Sequence, residues 1–237
     1  MDYNHIVVQW DDAHRYSPAP RHRRNIILDI IKKLDFSSCL DAGCAQPYLF
    51  EYLSHMNKEL YGCDISDEVI NSNSKYFTNA QFIKLDISKE TYPKNKKFDL
   101  VITSEVLEHI EDWKSAIKNL TKMVDKYLLI TVPSGKLHKI DKIVGHIRHY
   151  QGQELIAEIE RYGFKIILRK YWGFPIHTFY KYAINIIAPE TIYDNFAKKK
   201  YGFMKKAISY ILYYLFYINN FFNSGAQLIL LAQRCER

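Results

Sequence analysis

The 237-residue sequence predicts an α/β fold, in which an open, mostly parallel sheet carries helices on both faces. Two observations predict it. Short apolar segments alternate with longer segments of helical periodicity, and three of the apolar segments end in an aspartate, at Asp41, Asp64 and Asp86. In open parallel sheets, ligands bind beyond the carboxyl ends of the strands. The three aspartates, with a glycine turn after the first, therefore predict one wall of a cleft for a nucleotide-like cofactor.

The alternating pattern places each element in order. The strands are predicted at 38–42, 60–65, 81–87, 98–104, 127–132, 164–169 and 225–233. Helices are predicted at 21–34, 48–56, 67–77, from beyond 104 to about 125, and at 153–162. Pro47 suits the first turn of its helix, where an N–H has no partner, and Gly163 suits the end of the last one.

The C-terminal part departs from this alternation. Residues 172–223 look helical and loop-like, and the strand at 225–233 must return to the edge of the sheet after this long excursion. The chain, 1–237, is therefore predicted to be a single domain. Its parts are an N-terminal segment and helix (1–34), a cofactor-binding core (35–171), a helical insertion that serves as an acceptor lid or interface (172–223), and the final strand region (224–237).

The C-terminal third of the chain carries its excess positive charge. Residues 167–237 hold 10 basic and 3 acidic side chains and 17 of the 35 aromatic ones, whereas residues 1–166 are neutral. This indicates a specialised surface there.

The N-terminus does not resemble a signal peptide, and the four cysteines lack metal-binding spacing. We therefore expect no metal site and a reducing, cytoplasmic location.

Five motifs carry a resemblance to a known family. In chain order they are Leu40-Asp41-Ala42-Gly43-Cys44, Gly62-Cys63-Asp64-Ile65-Ser66, Leu85-Asp86-Ile87, the segment from Phe98-Asp99-Leu100-Val101 to Ser104-Glu105-Val106-Leu107-Glu108-His109, and Arg148-His149-Tyr150 followed by a helix and Gly163-Phe164. Together they resemble the class I S-adenosylmethionine-dependent methyltransferases of the small-molecule type, over roughly residues 20–170 and the final strand. The resemblance implies a Rossmann-like sheet of seven strands with the last antiparallel, and S-adenosyl-L-methionine as cofactor, with S-adenosyl-L-homocysteine as product.

The resemblance also implies roles for single residues. Asp41, Gly43, Cys44 and Ala45 would line the methionine part of the cofactor, and Asp64 would accept both ribose hydroxyls. The neighbouring Ile65 is also expected to bind the cofactor. The corresponding residues at the other two strand ends have these implied roles: Asp86 accepts from the adenine amino group, the Ile87 N–H serves a ring nitrogen, and the backbone carbonyls of Ser104 and Glu105 hold the cofactor's ammonium.

Two positions depart from the family's pattern, because Ala45 and Pro47 stand where glycines are usual. This leaves open a degenerate cofactor-binding partner subunit without activity. A dinucleotide oxidoreductase is disfavoured, since only Gly43 of a G-x-G-x-x-G fingerprint is present.

Methyl transfer to a hydroxyl needs a base, and histidine suits neutral pH. The candidates are His109, His146 and His149, of which His109 and His149 also fit a structural role.

The acceptor is predicted least directly. Thr103-Ser104-Glu105-Val106 replaces the Asn/Asp-Pro-Pro-Tyr of enzymes that methylate exocyclic amines of bases, and the basic residues form only short clusters, so a nucleic acid is disfavoured. The tail resembles C-terminal regions of methyltransferases found with bacterial surface-polysaccharide enzymes. This implies a small-molecule or saccharide-type acceptor, sugar phosphates included, methylated on oxygen or nitrogen. A quinone or lipid precursor is the alternative.

Ala207 to Ile218 could form a packed helix, a lid or dimer surface, or a peripheral membrane contact.

Overall fold

A computed structural model describes residues 11–187, 190 and 200–235 of the chain. Within them, the strands are β1 (Ser38–Ala42), β2 (Glu59–Asp64), β3 (Ala80–Lys84), β4 (Phe98–Ser104), β5 (Val124–Pro133), β6 (Phe164–Trp172) and β7 (Gln227–Arg234). They form one seven-stranded sheet in the order β3-β2-β1-β4-β5-β7-β6, with an antiparallel end. The predicted fold class is confirmed.

The helices follow the strands in alternation. They are α1 (Asp11–Tyr16), α2 (Pro18–Ile31), α3 (Phe50–Leu53), α4 (Asp67–Tyr76), α5 (Trp113–Met123), α6 (Lys139–Ile143), α7 (Gly152–Glu160), α8 (Ile176–Ile187) and α9 (Phe203–Leu215). Short 3-10 helices occur at Ser54–Met56, Pro93–Asn95, Leu107–His109 and Phe216–Phe221. The described part of the predicted insertion is helical, and its residues 188–189 and 191–199 lie outside the described residues.

The chain divides into two compact units. The sheet unit comprises Asp35–Gly135, Ile147–Lys170 and Leu228–Arg237, and the helical unit comprises Met1–Leu34, Lys136–His146 and Tyr171–Gln227, each in its described residues. That the whole chain is one domain stays a prediction.

Parallel pairing in the sheet unit brings the strand ends to one edge. β1 pairs in parallel with β2 and β4, and Asp41 is in register with Gly62 and Ile102. β4 is buried at five of its seven residues, with Leu100, Val101 and Ile102 fully inaccessible, as expected for a central strand covered on both faces. The carboxyl ends of β1, β2 and β4 therefore share one edge on a rigid apolar base.

The helical unit is held together by polar as well as apolar contacts. The imidazole of His22 in α2 is 3.1 Å from Asn220 Oδ1, and its ring lies 5.1 Å from that of Trp172. Asn25 donates to the hydroxyl of Tyr213, which fixes α9 against α2.

Most observed element boundaries lie a few residues from the predicted ones, and two of these differences have identifiable reasons. Helix α2 begins at Pro18 rather than at residue 21, because Pro18 and Pro20 suit a first helical turn. Strand β3 ends at Lys84 rather than at residue 87, because Asp86 accepts the backbone N–H and the hydroxyl of Ser88 and turns the chain.

Candidate cofactor site and active site

The turn after β1 requires glycine at position 43. Gly43 has a φ of 79°, and its N–H and that of Cys44 donate to the Cys63 carbonyl at 2.8 and 3.0 Å. A Cβ at this position would stand 2.5 Å from a methyl carbon of Val106. Both the backbone conformation and the close approach therefore exclude a larger residue.

Asp64, at the end of β2, organises the same loop. Its carboxylate accepts the Ala45 N–H and the Ser66 N–H, each at 3.0 Å. The backbone N–H of Ile65 also acts on this carboxylate, which has about four lone-pair positions. The side chain is therefore held in one orientation and keeps acceptor capacity for a ligand hydroxyl.

Ala45 adopts a left-handed conformation with a φ of 40°, which is unfavourable for a residue with a Cβ. Two bonds hold it there: its N–H donates to Asp64, and its carbonyl accepts from the Asn73 amide at 2.7 Å. Asn73 is buried on α4. The loop thus keeps the glycine-like backbone of the family's pattern without the glycine.

The carboxyl groups of Asp41 and Asp64 have raised pKa values. Burial, and next the negative charge of Asp64, raise the pKa of Asp41 from 3.8 to about 7. Burial also raises the pKa of Asp64, against the backbone N–H donors of Ser66, Ala45 and Ile65, which lower it. In the same loop, burial raises the pKa of the Cys44 thiol far above its ordinary value, so this cysteine is not a nucleophile. Both carboxyl groups at this edge therefore keep their proton to a higher pH than an exposed aspartate does.

Asp86 and Ile87 follow β3. Partial burial acts to raise the pKa of Asp86, but Lys89 and Ser88 donate to the carboxylate and lower that pKa overall. The Ile87 carbonyl accepts from the buried Asn119 amide of α5 at 3.1 Å, which anchors this turn to the sheet unit.

Ser104 and Glu105 turn the chain at the end of β4. Glu105 has a φ of 57°, and its N–H donates to the Thr131 carbonyl at 2.9 Å. The Thr131 hydroxyl lies 2.8 Å from Ser104 Oγ and donates to Glu105 Oε1 at 3.1 Å. Strand β5 thereby fixes this left-handed turn.

Comparison with known proteins decides the family. The family model described as "Methyltransferase domain" matches residues 13–168. The chain belongs to the class I S-adenosylmethionine-dependent methyltransferases. The family and the enzyme class predicted from the five motifs are confirmed.

Individual relatives of this methyltransferase are distant. A ubiquinone biosynthesis O-methyltransferase of Pelagibacter ubique (strain HTCC1062) is 28% identical over 133 residues, 49% of this chain and 55% of that protein. The chain thus spans about half the length of this curated relative. The N-methyltransferase NodS of Bradyrhizobium japonicum WM9, solved with S-adenosyl-L-homocysteine, has a TM-score of 0.63 at 16% identity and covers 99% of this chain and 98% of its own. Magnesium protoporphyrin IX methyltransferase of Synechocystis PCC 6803 has a TM-score of 0.56 at 18% identity, and the match covers 91% of this chain and 83% of that protein. Both solved structures have the same fold as this chain.

The electrostatics of the edge fit the family's cofactor. The ionised forms of Asp41 and Asp64 are disfavoured by burial, and that of Asp41 also by the negative charge of Asp64. A sulfonium and an ammonium bring positive charge, which favours the ionised form of a nearby carboxyl group. The residues present are therefore suited to a cationic nucleoside ligand.

The three candidate base histidines are distributed over both units. In the sheet unit, His109 ends the 3-10 helix Leu107–His109, and His149 precedes Tyr150, whose buried hydroxyl donates to the Leu107 carbonyl at 2.8 Å. His146 belongs to the helical unit, where its Nδ1 lies 4.0 Å from Asp141 Oδ1. Each histidine is partly buried, and the role of each as a base stays a prediction.

Three positioning residues were not predicted from the sequence: Asn73, Asn119 and Thr131. Each is a buried polar side chain that holds a loop of the candidate site. The signal that could have found them is a polar residue on an otherwise apolar face, such as Thr131 within Leu128-Leu129-Ile130-Thr131-Val132.

Proposed function

We propose that this methyltransferase transfers a methyl group from S-adenosyl-L-methionine to an oxygen or nitrogen of a small-molecule or saccharide-type acceptor, in bacterial surface-polysaccharide biosynthesis. The observation that carries the proposed transfer is the joint placement of Asp41, Asp64 and the Ser104-Glu105 turn at the carboxyl edge of parallel strands. The acceptor class is supported by the resemblance of the C-terminal region.

The residues of the edge would hold the cofactor as follows. Asp64 would accept the ribose hydroxyls with the acceptor capacity that its backbone donors leave available. Asp86 and the Ile87 N–H would hold the adenine, and Asp41 and the Glu105 turn would face the charged amino-acid part. When bound, S-adenosyl-L-methionine supplies an electrophilic methyl group on a sulfonium.

The chain's part in the transfer is to align the acceptor, exclude water and accept a proton from a hydroxyl acceptor. His109 or His149 would accept it in the sheet unit, or His146 in the helical unit. An amine acceptor that arrives neutral would release its proton after transfer and would not require the base in the transition state.

Calorimetric titration with S-adenosyl-L-methionine tests the cofactor step. We expect wild type to bind, and Asp64→Ala to bind at least 100-fold more weakly, since it loses the diol acceptor and the loop's anchor. Asp67→Asn is the matched control, because Asp67 is an exposed carboxylate on the following helix, and its affinity should equal that of wild type. Absence of binding in wild type would refute the proposal.

A quinone or lipid-precursor acceptor is the second candidate. It is favoured by the name of the Pelagibacter relative and by the exposed aromatic side chains of the helical unit. A panel of sugar nucleotides, phospho-amines, quinols and RNA, incubated with cofactor labelled in the methyl group, separates the two. Label in the quinol alone would select this candidate, label in RNA alone would refute both, and binding without any transfer would indicate a partner subunit.

We also propose a cytoplasmic location, which the four free cysteines support, since cytoplasmic thiols stay reduced. None of the described helices has both the length and the apolar character needed to cross a bilayer.

A further inference from the structure

Helix α9 exposes an apolar stripe along its whole length. Met204, Ile208, Ile211 and Leu215 follow one another at spacings of four, three and four residues, so they lie on one face. All four are exposed, Met204 to 73% and Ile211 to 62%. Large apolar side chains scattered singly on a surface are ordinary, but a continuous stripe marks an interaction surface.

The opposite face of α9 is already occupied within the helical unit. Ser209 and Tyr213 are buried there, and Tyr213 receives the amide of Asn25 and stacks under the guanidinium of Arg21, 3.9 Å from its ring. These contacts fix the rotation of α9 about its axis. The apolar stripe is therefore held facing away from α2.

Tyrosines flank the stripe on α9 and its continuation. Tyr210, Tyr214 and Tyr217 are each exposed by more than 40% and are spaced by four and three residues. Tyrosine combines an apolar ring with a hydroxyl that needs water or a polar partner, so it suits a boundary between an apolar and an aqueous phase.

Helix α8 adds a second exposed face of the same kind. Phe179, Tyr182 and Ile186 are exposed to between 60% and 64%. Phe174 joins this face to the end of the 3-10 helix that follows α9, since its ring lies 6.4 Å from Phe179 and 5.4 Å from Phe222. We call the exposed residues of α8, α9 and these joining rings the aromatic face.

The segments that carry the aromatic face have an excess of positive charge. The described residues of 171–227 contain four lysines and one acidic residue, Glu190. Lys205 and Lys206 lie in the first turns of α9, where the helix dipole disfavours cations. They lie over the rings of Tyr201 and Tyr16, at 5.6 and 4.4 Å.

We propose that the aromatic face binds the surface of an anionic lipid bilayer. The apolar stripe enters the boundary between headgroups and acyl chains, the tyrosines lie at the headgroups, and the excess positive charge of these segments favours anionic lipid phosphates. A helix of 13 residues is about 20 Å long, which suits a position in the plane of the surface. This binding does not depend on the proposed methyl transfer.

Sedimentation of the full chain with vesicles tests the proposal. Vesicles of 70% phosphatidylcholine and 30% phosphatidylglycerol should bind wild type, whereas pure phosphatidylcholine vesicles should bind it at least tenfold more weakly. Raising the salt from 0.1 to 0.5 M should also weaken the binding. Ile211→Ser should lower the partition coefficient at least tenfold, and Lys205→Glu combined with Lys206→Glu should remove the preference for anionic vesicles.

Ile167→Ser is the matched control, because Ile167 is an exposed isoleucine of β6 in the sheet unit, and it should bind vesicles as wild type does. Thermal melting and cofactor titration check the folding of each variant. Met204→Ser, in the first turn of α9, is a second stripe variant should Ile211→Ser fail to fold. The proposal is wrong if wild type does not bind anionic vesicles or if both stripe variants bind them as wild type does. It is also wrong if wild type does not bind vesicles and light scattering instead shows a dimer that Ile211→Ser dissociates.

Discussion

Replacing Asp41 by asparagine should stabilise the cofactor-free protein, and the more so at higher pH. Asp41 is buried at the end of β1, and burial together with the charge of Asp64 raises its pKa to about 7. A carboxyl group with a raised pKa in the folded state supports stability that is complete below the unfolded pKa of 3.8 and is lost as pH rises through 7. Asparagine has nearly the same shape and no charge, so it removes this loss.

The magnitude follows from the two pKa values. At pH 5 the unfolded chain has Asp41 ionised while the folded chain keeps it protonated, which costs about 2 kcal/mol at roughly 1.4 kcal/mol per pKa unit. At pH 8 both states are ionised, and the cost reaches about 4 kcal/mol. The difference in free energy of unfolding between Asp41→Asn and wild type should therefore increase by about 2 to 3 kcal/mol from pH 5 to pH 8.

Urea unfolding of wild type and Asp41→Asn at pH 5, 6, 7 and 8, without cofactor, measures this difference. Asp86→Asn is the control: the pKa of Asp86 is lowered, so its contribution is lost only as pH falls below the ordinary carboxyl range and should be constant from pH 5 to 8. A stability difference between Asp41→Asn and wild type that does not change over this range would refute the reasoning.

Three further predictions concern the loops of the candidate site. Gly43→Ala should lower the free energy of unfolding by about 2 to 4 kcal/mol, through its positive φ and the close approach to Val106, and Val106→Ala in the same chain should restore part of the loss in urea unfolding. Ala45→Gly should stabilise the chain by about 0.5 to 1 kcal/mol, because relief of the left-handed strain exceeds the added freedom of the unfolded chain; a lower denaturation midpoint would contradict this. Tyr150→Phe should cost about 1 to 3 kcal/mol in the same assay, since it leaves the buried Leu107 carbonyl without its donor; an unchanged midpoint would show that this bond contributes little.

Much of the candidate site is readable in the sequence, because its motifs are local. The glycine turn after β1, the aspartate that ends β2 and the turn after β4 each lie within a few residues of an apolar strand, and strand length sets their spacing. Asn73 and Thr131 are different. They hold loops 28 and 26 residues away along the chain, and in the sequence they look like any other polar residue of a helix or strand.

The sequence by itself determined the alternation of strands and helices, the family and the three carboxylates at the strand ends, since periodicity and short motifs are properties of neighbouring residues. Only the tertiary structure decided the pKa of Asp41, because Asp64 acts on it from the neighbouring strand and the fold buries both. It also decided the left-handed backbone of Ala45, which depends on bonds to Asp64 and Asn73. Likewise, Ile211 and Tyr213 lie two residues apart in one run of large aliphatic and aromatic residues, and packing against α2 determines that Ile211 is exposed and Tyr213 buried.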